Sequence, residues 1–563
     1  MLFSRMSAIP RQQLSRTALL YLLAAFVVCV LLLSVFLPKW LLLVAGFCVG
    51  WRLLVFTGRL SFPSVWIKSA LVFLAGIALF FQYGFSVSLD VFVMLLLLGF
   101  SLKLLELHHI REARLLLYLA FFVLMNVFLF DQNPVYTLLV FSACVIVLAA
   151  LVAVHSDDAV MLLAPWQPIK KGAVIFSLAL PVMLFMFLVM PRLPPLWSMP
   201  LQKQQQGKTG MSDSMSPGDV AQLARSADLA FRASFTDGIP DKNTLYWSGL
   251  ILEHFDGVRW TEDCRDCQKN WFRSSTWFEK NAREKTAWDK TAGAKKYQVI
   301  IEANGNKWLY VLQPSRINND QVWMNEDGMF RNAKNIDQRQ MYYALYVPVV
   351  VDAAPGLKNR NRYLALVGNP QAIALAQQWR RDSRDDQAVI QKALAFYHDD
   401  FTYTLQPPVL GEQRVDDFLF NSRRGFCEHF AGSFVFLMRA AGIPARVVLG
   451  YMGGEINTSA TNAGEGYVTV RQYDAHAWAE VWLPGQGWQR VDPTAAVAPE
   501  RIELGFADAY GANDAFAIDA GLAALHRFAF LNALRLQFDQ LDYLWARWVL
   551  GYEGEQQQDI LRR

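Results

Sequence analysis

Apolar residues crowd the first third of the chain in long runs, and after Met190 they thin out and begin to alternate with polar ones. Seven runs lie near 17–37, 40–56, 67–84, 88–105, 114–130, 134–154 and 172–190. Each reaches or approaches the roughly 20 residues that cross a ~30 Å hydrocarbon layer, so the pattern predicts seven membrane helices. "PRLPPLWSMP" (191–200) follows as a stiff exit, and "QKQQQGKTGMSDSMSPGD" (202–219) as a solvated linker without calcium-loop spacing. From about 226 to 350, short runs such as "LAFRASF", "TLYWSGLIL" and "YQVIIEA" alternate with turn signals. They predict a β-rich module of the sandwich or barrel type. Helical periodicity returns in "QAIALAQQWRRDSRDDQAVIQKALAFYHDDF", and a helix starting after Arg424 is stopped by Gly442 and Pro444. Strands are predicted at 445–453, 466–473, 476–483 and 487–492.

The expected organisation is multi-domain. An all-α polytopic membrane domain (1–190) is followed by a linker (191–225), a β-rich module (226–352), an α+β core (360–500) and a C-terminal helical segment (501–563). Charge assigns the sides of the membrane. Arg5, Arg11, Arg16, Arg52, Arg59, Lys68, Lys103, Arg111, Arg114, Lys170 and Lys171 flank one side, against Lys39 alone in the short loops of the other. That asymmetry puts the N-terminus in the cytoplasm, and an odd number of crossings exports everything after Met190. The first run is not a cleaved signal peptide, because six more follow it. Of 53 basic and 49 acidic residues, twelve and six precede residue 191, so the exported part is slightly acidic. An acidic exported part excludes nucleic acid as its natural partner. The charged residues Lys103, Glu106 and Asp131 sit at helix ends, which argues against a transport path through the membrane domain.

Candidate chemistry begins with the cysteines. Cys29, Cys48 and Cys144 lie in apolar runs, as packed side chains do, and "CRDC" (Cys264, Cys267) suggests a local disulfide in an oxidising compartment. A zinc site would need a second such pair, and no metal or cofactor motif is present. Cys427, in "RRGFCEHFAG", is left without a partner. On a helix it shares a stripe with Ala431, Phe434 and Met438, facing the core from the first turn, where free N–H groups and the helix dipole favour an anion. A thiol pKa lowered toward ~6 is therefore expected, as for a nucleophile. The exported histidines are His254, His398, His429, His476 and His526. His429 is about 200° round the helix from Cys427 and points away. His476 opens the strand "HAWAEVWL", which a "PGQG" turn returns toward "VDPT". A hairpin centred on Pro484 sets Asp492 opposite His476 on the same face, which a one-residue slip would undo. The expected roles are nucleophile Cys427, base His476 and orienting carboxylate Asp492.

"RRGFCEHFAGSFVFLMRAAGIPARVVLGY", "DAHAWAEVW" and "GWQRVDPT" resemble the three signature blocks of the transglutaminase-like (papain-like) superfamily. Together with the seven-span front end, the chain is similar to bacterial inner-membrane, TgpA-type protein-glutamine γ-glutamyltransferases. The resemblance implies a papain-like α+β core and a Cys427, His476, Asp492 triad. It also implies acyl transfer from a glutamine carboxamide to an amine in the periplasm, with the lipid bilayer and a protein or peptide substrate as partners. The triad alone fits an amidase or peptidase that uses water equally well, and a non-catalytic binding module is the reading from a different class. Proteins of this type continue into a further membrane helix. The stretch "LNALRLQFDQLDYLWARWVLGYEG" before the final "DILRR" is too polar to be one.

Overall fold

The computed structural model describes residues 14–84, 89–156, 164–190, 211–262 (except 212 and 217), 271–276, 293–347, 357–458 (except 358), 466–503, 529–546 and 549. They fall in two compact units, residues 1–204 with 538–563, and residues 205–537.

Among the described residues the first unit carries seven apolar helices: α1 (Arg16–Leu33), α2 (Lys39–Phe56), α3 (Val65–Tyr83), α4 (Leu89–Leu105), α5 (Ile110–Met125), α6 (Pro134–Val154) and α7 (Gln167–Val189). Six are long and apolar enough to cross a membrane, α5 with the help of a 3₁₀ turn ending at Leu129, and α4 has 17 residues. Helix starts carry the expected punctuation, with Ser15 capping α1 and Asn133 capping α6 ahead of Pro134. Charges gather at helix ends, where water or a counter-ion is in reach. Glu106 pairs with Lys68 at 2.9 Å and Lys103 at 3.0 Å, and Arg52 Nη2 donates to the Leu107 carbonyl at 3.0 Å. Cys29 and Cys48 are buried among the helices and Cys144 is partly so. The Cys264 and Cys267 pair lies outside the described residues.

Two antiparallel sheets organise the second unit. One runs β11 (Gly487–Val491), β10 (Ala475–Leu483), β7 (Ala445–Met452), β2 (Tyr246–Leu252), β4 (Val311–Leu312). The other runs β5 (Ser315–Arg316), β6 (Gln340–Tyr346), β3 (Lys295–Ile301), β1 (Leu229–Phe235), β9 (Gly466–Arg471), β8 (Glu455–Thr458). Each sheet thus joins strands from the 226–352 segment to strands from the 360–500 segment. The reason is local: β2 and β7 are buried at every position, so each needs a strand on both edges and cover on both faces. An aromatic cluster of Phe231, Trp247, Tyr297, Tyr310 and Tyr451 bridges the sheets. The two segments therefore share one hydrophobic interior. Part of the stretch expected to be a solvated linker also joins it, because Met211, Met215, Val220, Ala221 and Ala224 are buried there.

Three helices cover the first sheet's side of this interior: α8 (Pro370–Arg381), α9 (Asp386–Asp400) and α10 (Cys427–Ala440). α10 packs directly on β7 and β10. Gly442, at φ +81°, takes the left-handed conformation that ends α10, where the sequence places its stop. A last helix, α11 (Ala529–Trp545), ends with Trp545 Nε1 donating to the Gln132 carbonyl at 2.8 Å.

Candidate active site

α10 is buried all round, not along one stripe: every residue from Cys427 to Arg439 is inaccessible. Most of its polar groups are therefore tied down, while His429 Nε2 is buried without a hydrogen-bond partner. Arg439 donates to the carbonyls of Ala445, Ala365 and Glu253 at 2.8, 3.1 and 2.7 Å, and Ser433 meets the Tyr397 hydroxyl at 2.7 Å. The Phe426 amide donates to His429 Nδ1 at 3.3 Å, so His429 closes the first turn of the helix it belongs to. His429 faces away from the thiol as expected, and its burial and its capping bond make it a structural residue.

Cys427 opens α10 and is 0% exposed. Its sulfur accepts a hydrogen bond from the Ala477 N–H on β10. Burial, reinforced by the neighbouring Glu428 carboxyl, pushes the thiol well above its usual pKa; the Ala477 amide and the Arg501 guanidinium act the other way without offsetting it. The lowered thiol pKa expected from the helix start is thus overturned: with the sulfur fully buried, desolvation outweighs the helix dipole. A thiol whose pKa is raised by burial calls for a neighbouring base to accept its proton.

The residue before Ala477 is that base's candidate. His476, also 0% exposed, bonds Asp492 through Nε2 at 2.7 Å from Oδ2, while its buried Nδ1 has no hydrogen-bond partner. A carboxylate on Nε2 fixes the proton there, leaving a lone pair on Nδ1. The hairpin that achieves this differs from the expected one. β10 and β11 pair Leu483 with Gly487 and Ala479 with Val491, centring the turn on Gly485 and setting Asp492 two residues off the predicted partner. A two-residue shift preserves the face, so the carboxylate reaches His476 diagonally.

Asp492 is held by more than His476. Thr494 N–H donates to Oδ1 at 3.0 Å, and the Tyr246 hydroxyl donates to Oδ2 at 2.9 Å. Burial alone would raise the Asp492 pKa, but the His476 imidazole, the Tyr246 hydroxyl and the Thr494 amide together hold it below the ordinary carboxylate value. Sequence reasoning missed Tyr246, which starts β2 and carries no local signal of its role. It also missed Glu428, the one carboxylate inside an otherwise largely apolar helix, which was visible. Glu428 accepts from Gly218 N–H and, at 2.9 Å, from Val220 N–H. The segment it clamps, 219–223, packs against β10, which carries His476. Among the described residues no cluster of three or more His, Cys, Asp or Glu is arranged to hold a metal ion.

Burial pushes the Glu428 pKa up from 4.5 to about 8, against the two amides. The folded protein therefore keeps a proton that the unfolded chain has released, so this group's stability contribution declines as pH rises from 4.5 to about 8. Glu428→Gln cannot titrate and should flatten that slope in denaturation midpoints measured across this range. An unchanged slope would assign it to other groups.

Residues 21–353 match the TgpA N-terminal domain, and residues 373–493 match the transglutaminase-like superfamily. A curated Pseudomonas aeruginosa protein named protein-glutamine gamma-glutamyltransferase is 39% identical over 567 residues, covering 99% of this chain and 80% of its own length. The chain belongs to the TgpA family. The crystal structure of the periplasmic domain of TgpA from P. aeruginosa is 40% identical and covers 53% of this chain and 98% of that one, with a TM-score of 0.46. The uncharacterized protein YebA of Bacillus subtilis is 42% identical over 97 residues, which are 17% of this chain and 13% of YebA. The TgpA N-terminal match takes in α1 from residue 21, the other six apolar helices and strands β1 to β6, while Cys427, His476 and Asp492 all fall within the transglutaminase-like match.

Proposed function

We propose that the chain is a membrane-anchored acyltransferase that moves the γ-glutamyl group of a protein or peptide glutamine onto an amine in the periplasm. The observation that carries this reading is the 2.7 Å His476–Asp492 bond, with Nδ1 bare and the next residue's amide on the Cys427 sulfur. His476 Nδ1 takes the thiol proton as sulfur attacks the carboxamide carbon. The C–N bond then breaks, the same proton leaves with ammonia, and the acyl group stays on sulfur as a thioester. An amine attacks next, giving its proton to His476, and the thiol is released. The Cys427 backbone N–H at the helix start is positioned to stabilise the oxyanion. Transfer to an amine rather than to water is favoured by the kinship with a 39% identical relative named protein-glutamine gamma-glutamyltransferase.

The purified full-length chain in detergent tests this reading with a glutamine peptide and a fluorescent primary amine. Ammonia and labelled product should form in equal amounts. Ammonia without product would make the protein an amidase instead.

The periplasmic placement rests on the basic flanks and the apolar helices. A reporter active only in the periplasm should work when fused after residue 200 and fail after residue 112. The reverse pattern would invert the topology.

A further inference from the structure

We infer that Tyr246 is a positioning residue of this site, setting the direction and the charge of the Asp492 carboxylate that steers His476. The inference rests on the proposed roles of Cys427, His476 and Asp492. The Tyr246 hydroxyl and His476 Nε2 bond the same oxygen, Oδ2, at 2.9 and 2.7 Å, while the Thr494 amide holds Oδ1. Three donors on two oxygens stop the carboxylate from rotating about its Cβ–Cγ bond. The ring that carries the hydroxyl is itself fixed. It meets Trp478 edge-on with centroids 5.2 Å apart, and the Arg490 guanidinium lies 3.8 Å from its centroid. Trp478 in turn lies parallel to the His476 ring. Tyr246, Trp478 and His476 therefore form a packed cluster of rings whose two polar groups converge on one oxygen.

A buried tyrosine needs some partner for its hydroxyl, so the bond alone could be mere satisfaction. The choice of oxygen gives it a consequence. A donor on Oδ2 draws charge away from the bond to the imidazole, so Tyr246 limits how strongly Asp492 stabilises the protonated ring. The other charged or titratable groups around this assembly are Arg490 on β11, Arg501, the Cys427 thiol and Glu428 on α10. The arginines disfavour a proton on the imidazole and the acids favour it, whereas the Tyr246 hydroxyl acts on the Asp492 Oδ2 oxygen itself.

Tyr246→Phe keeps the ring contacts and removes the hydroxyl. Two pH profiles are measured on the full-length protein in detergent: turnover with the glutamine peptide and amine, and the rate of iodoacetamide alkylation of Cys427. Both need an unprotonated imidazole. The variant should lower kcat about tenfold with KM unchanged, as loss of one hydrogen bond to a charged group would. The acid limb of both profiles should move to higher pH, on the order of half a unit. Unshifted limbs with a lowered Tm would mean that Tyr246 only supports the fold, and a raised KM at constant kcat would place it in substrate binding. If the wild type transfers no acyl group, the proposed function fails, while the alkylation limb still decides for or against Tyr246.

Discussion

Cys427→Ala and His476→Ala are each expected to lower amine incorporation by about 10⁴-fold or more, because nucleophile and base act as a unit. Asp492→Asn should lose less, since the carboxylate orients and stabilises the imidazole without touching the acyl group. The variants should differ in stability. Removing the Cys427 sulfur leaves a small cavity under α10 and costs about 1 kcal/mol. Removing His476 strips the buried Asp492 of its main partner, at about 3 kcal/mol, visible as a lowered Tm. Cys427→Ala is therefore the cleaner test: a folded protein with no turnover. Near-normal turnover in either alanine variant would remove the pair from the mechanism.

Gly450→Ala should be the most destructive substitution outside the site. Gly450 stands directly opposite His476 in the β7–β10 register and opposite Ser248 across to β2. A methyl group there would overlap the Trp247 carbonyl oxygen and come within 2.8 Å of the Trp478 ring. Neither can retreat, because Trp247 and Trp478 are both buried. Overpacking of this kind costs about 3 kcal/mol. It would also push Trp478 against the His476 and Tyr246 rings, so turnover should fall in whatever protein still folds. Denaturation midpoints and expression yield of the variant check this. A Gly450→Ala protein as stable and active as wild type would mean that β2 does not approach β7 as closely as described.

Local spacing carried much of this account in the sequence. Gly442 and Pro444 marked the end of α10, the long apolar runs marked the membrane helices, and the "PGQG" turn brought Asp492 back toward His476. Where expectation and structure differ, the deciding interactions are non-local. The hairpin centre moved from Pro484 to Gly485 because strand pairing is settled by the whole sheet, and the two-residue shift left the face unchanged. Nothing in "TLYWSGLIL" announces that Tyr246 will bond a residue 246 positions away. The pairing of β1 with β9 is equally remote, so two segments that look separable along the chain share their sheets. The thiol was misjudged for a different reason. Helical periodicity shows which face Cys427 is on, but not that α10 is covered on every side, and that cover sets the thiol's ionisation.

The central claim is that Cys427 carries the acyl group. Incubating the full-length protein with a glutamine peptide, withholding any amine, quenching in acid and measuring the intact and digested mass tests it most directly. The account predicts a mass gain equal to the peptide minus ammonia, located on the fragment containing Cys427 and lost on adding hydroxylamine. The Cys427→Ala protein should show no such gain. Full turnover with the acyl group on another residue, or with none trapped under any condition, would contradict it.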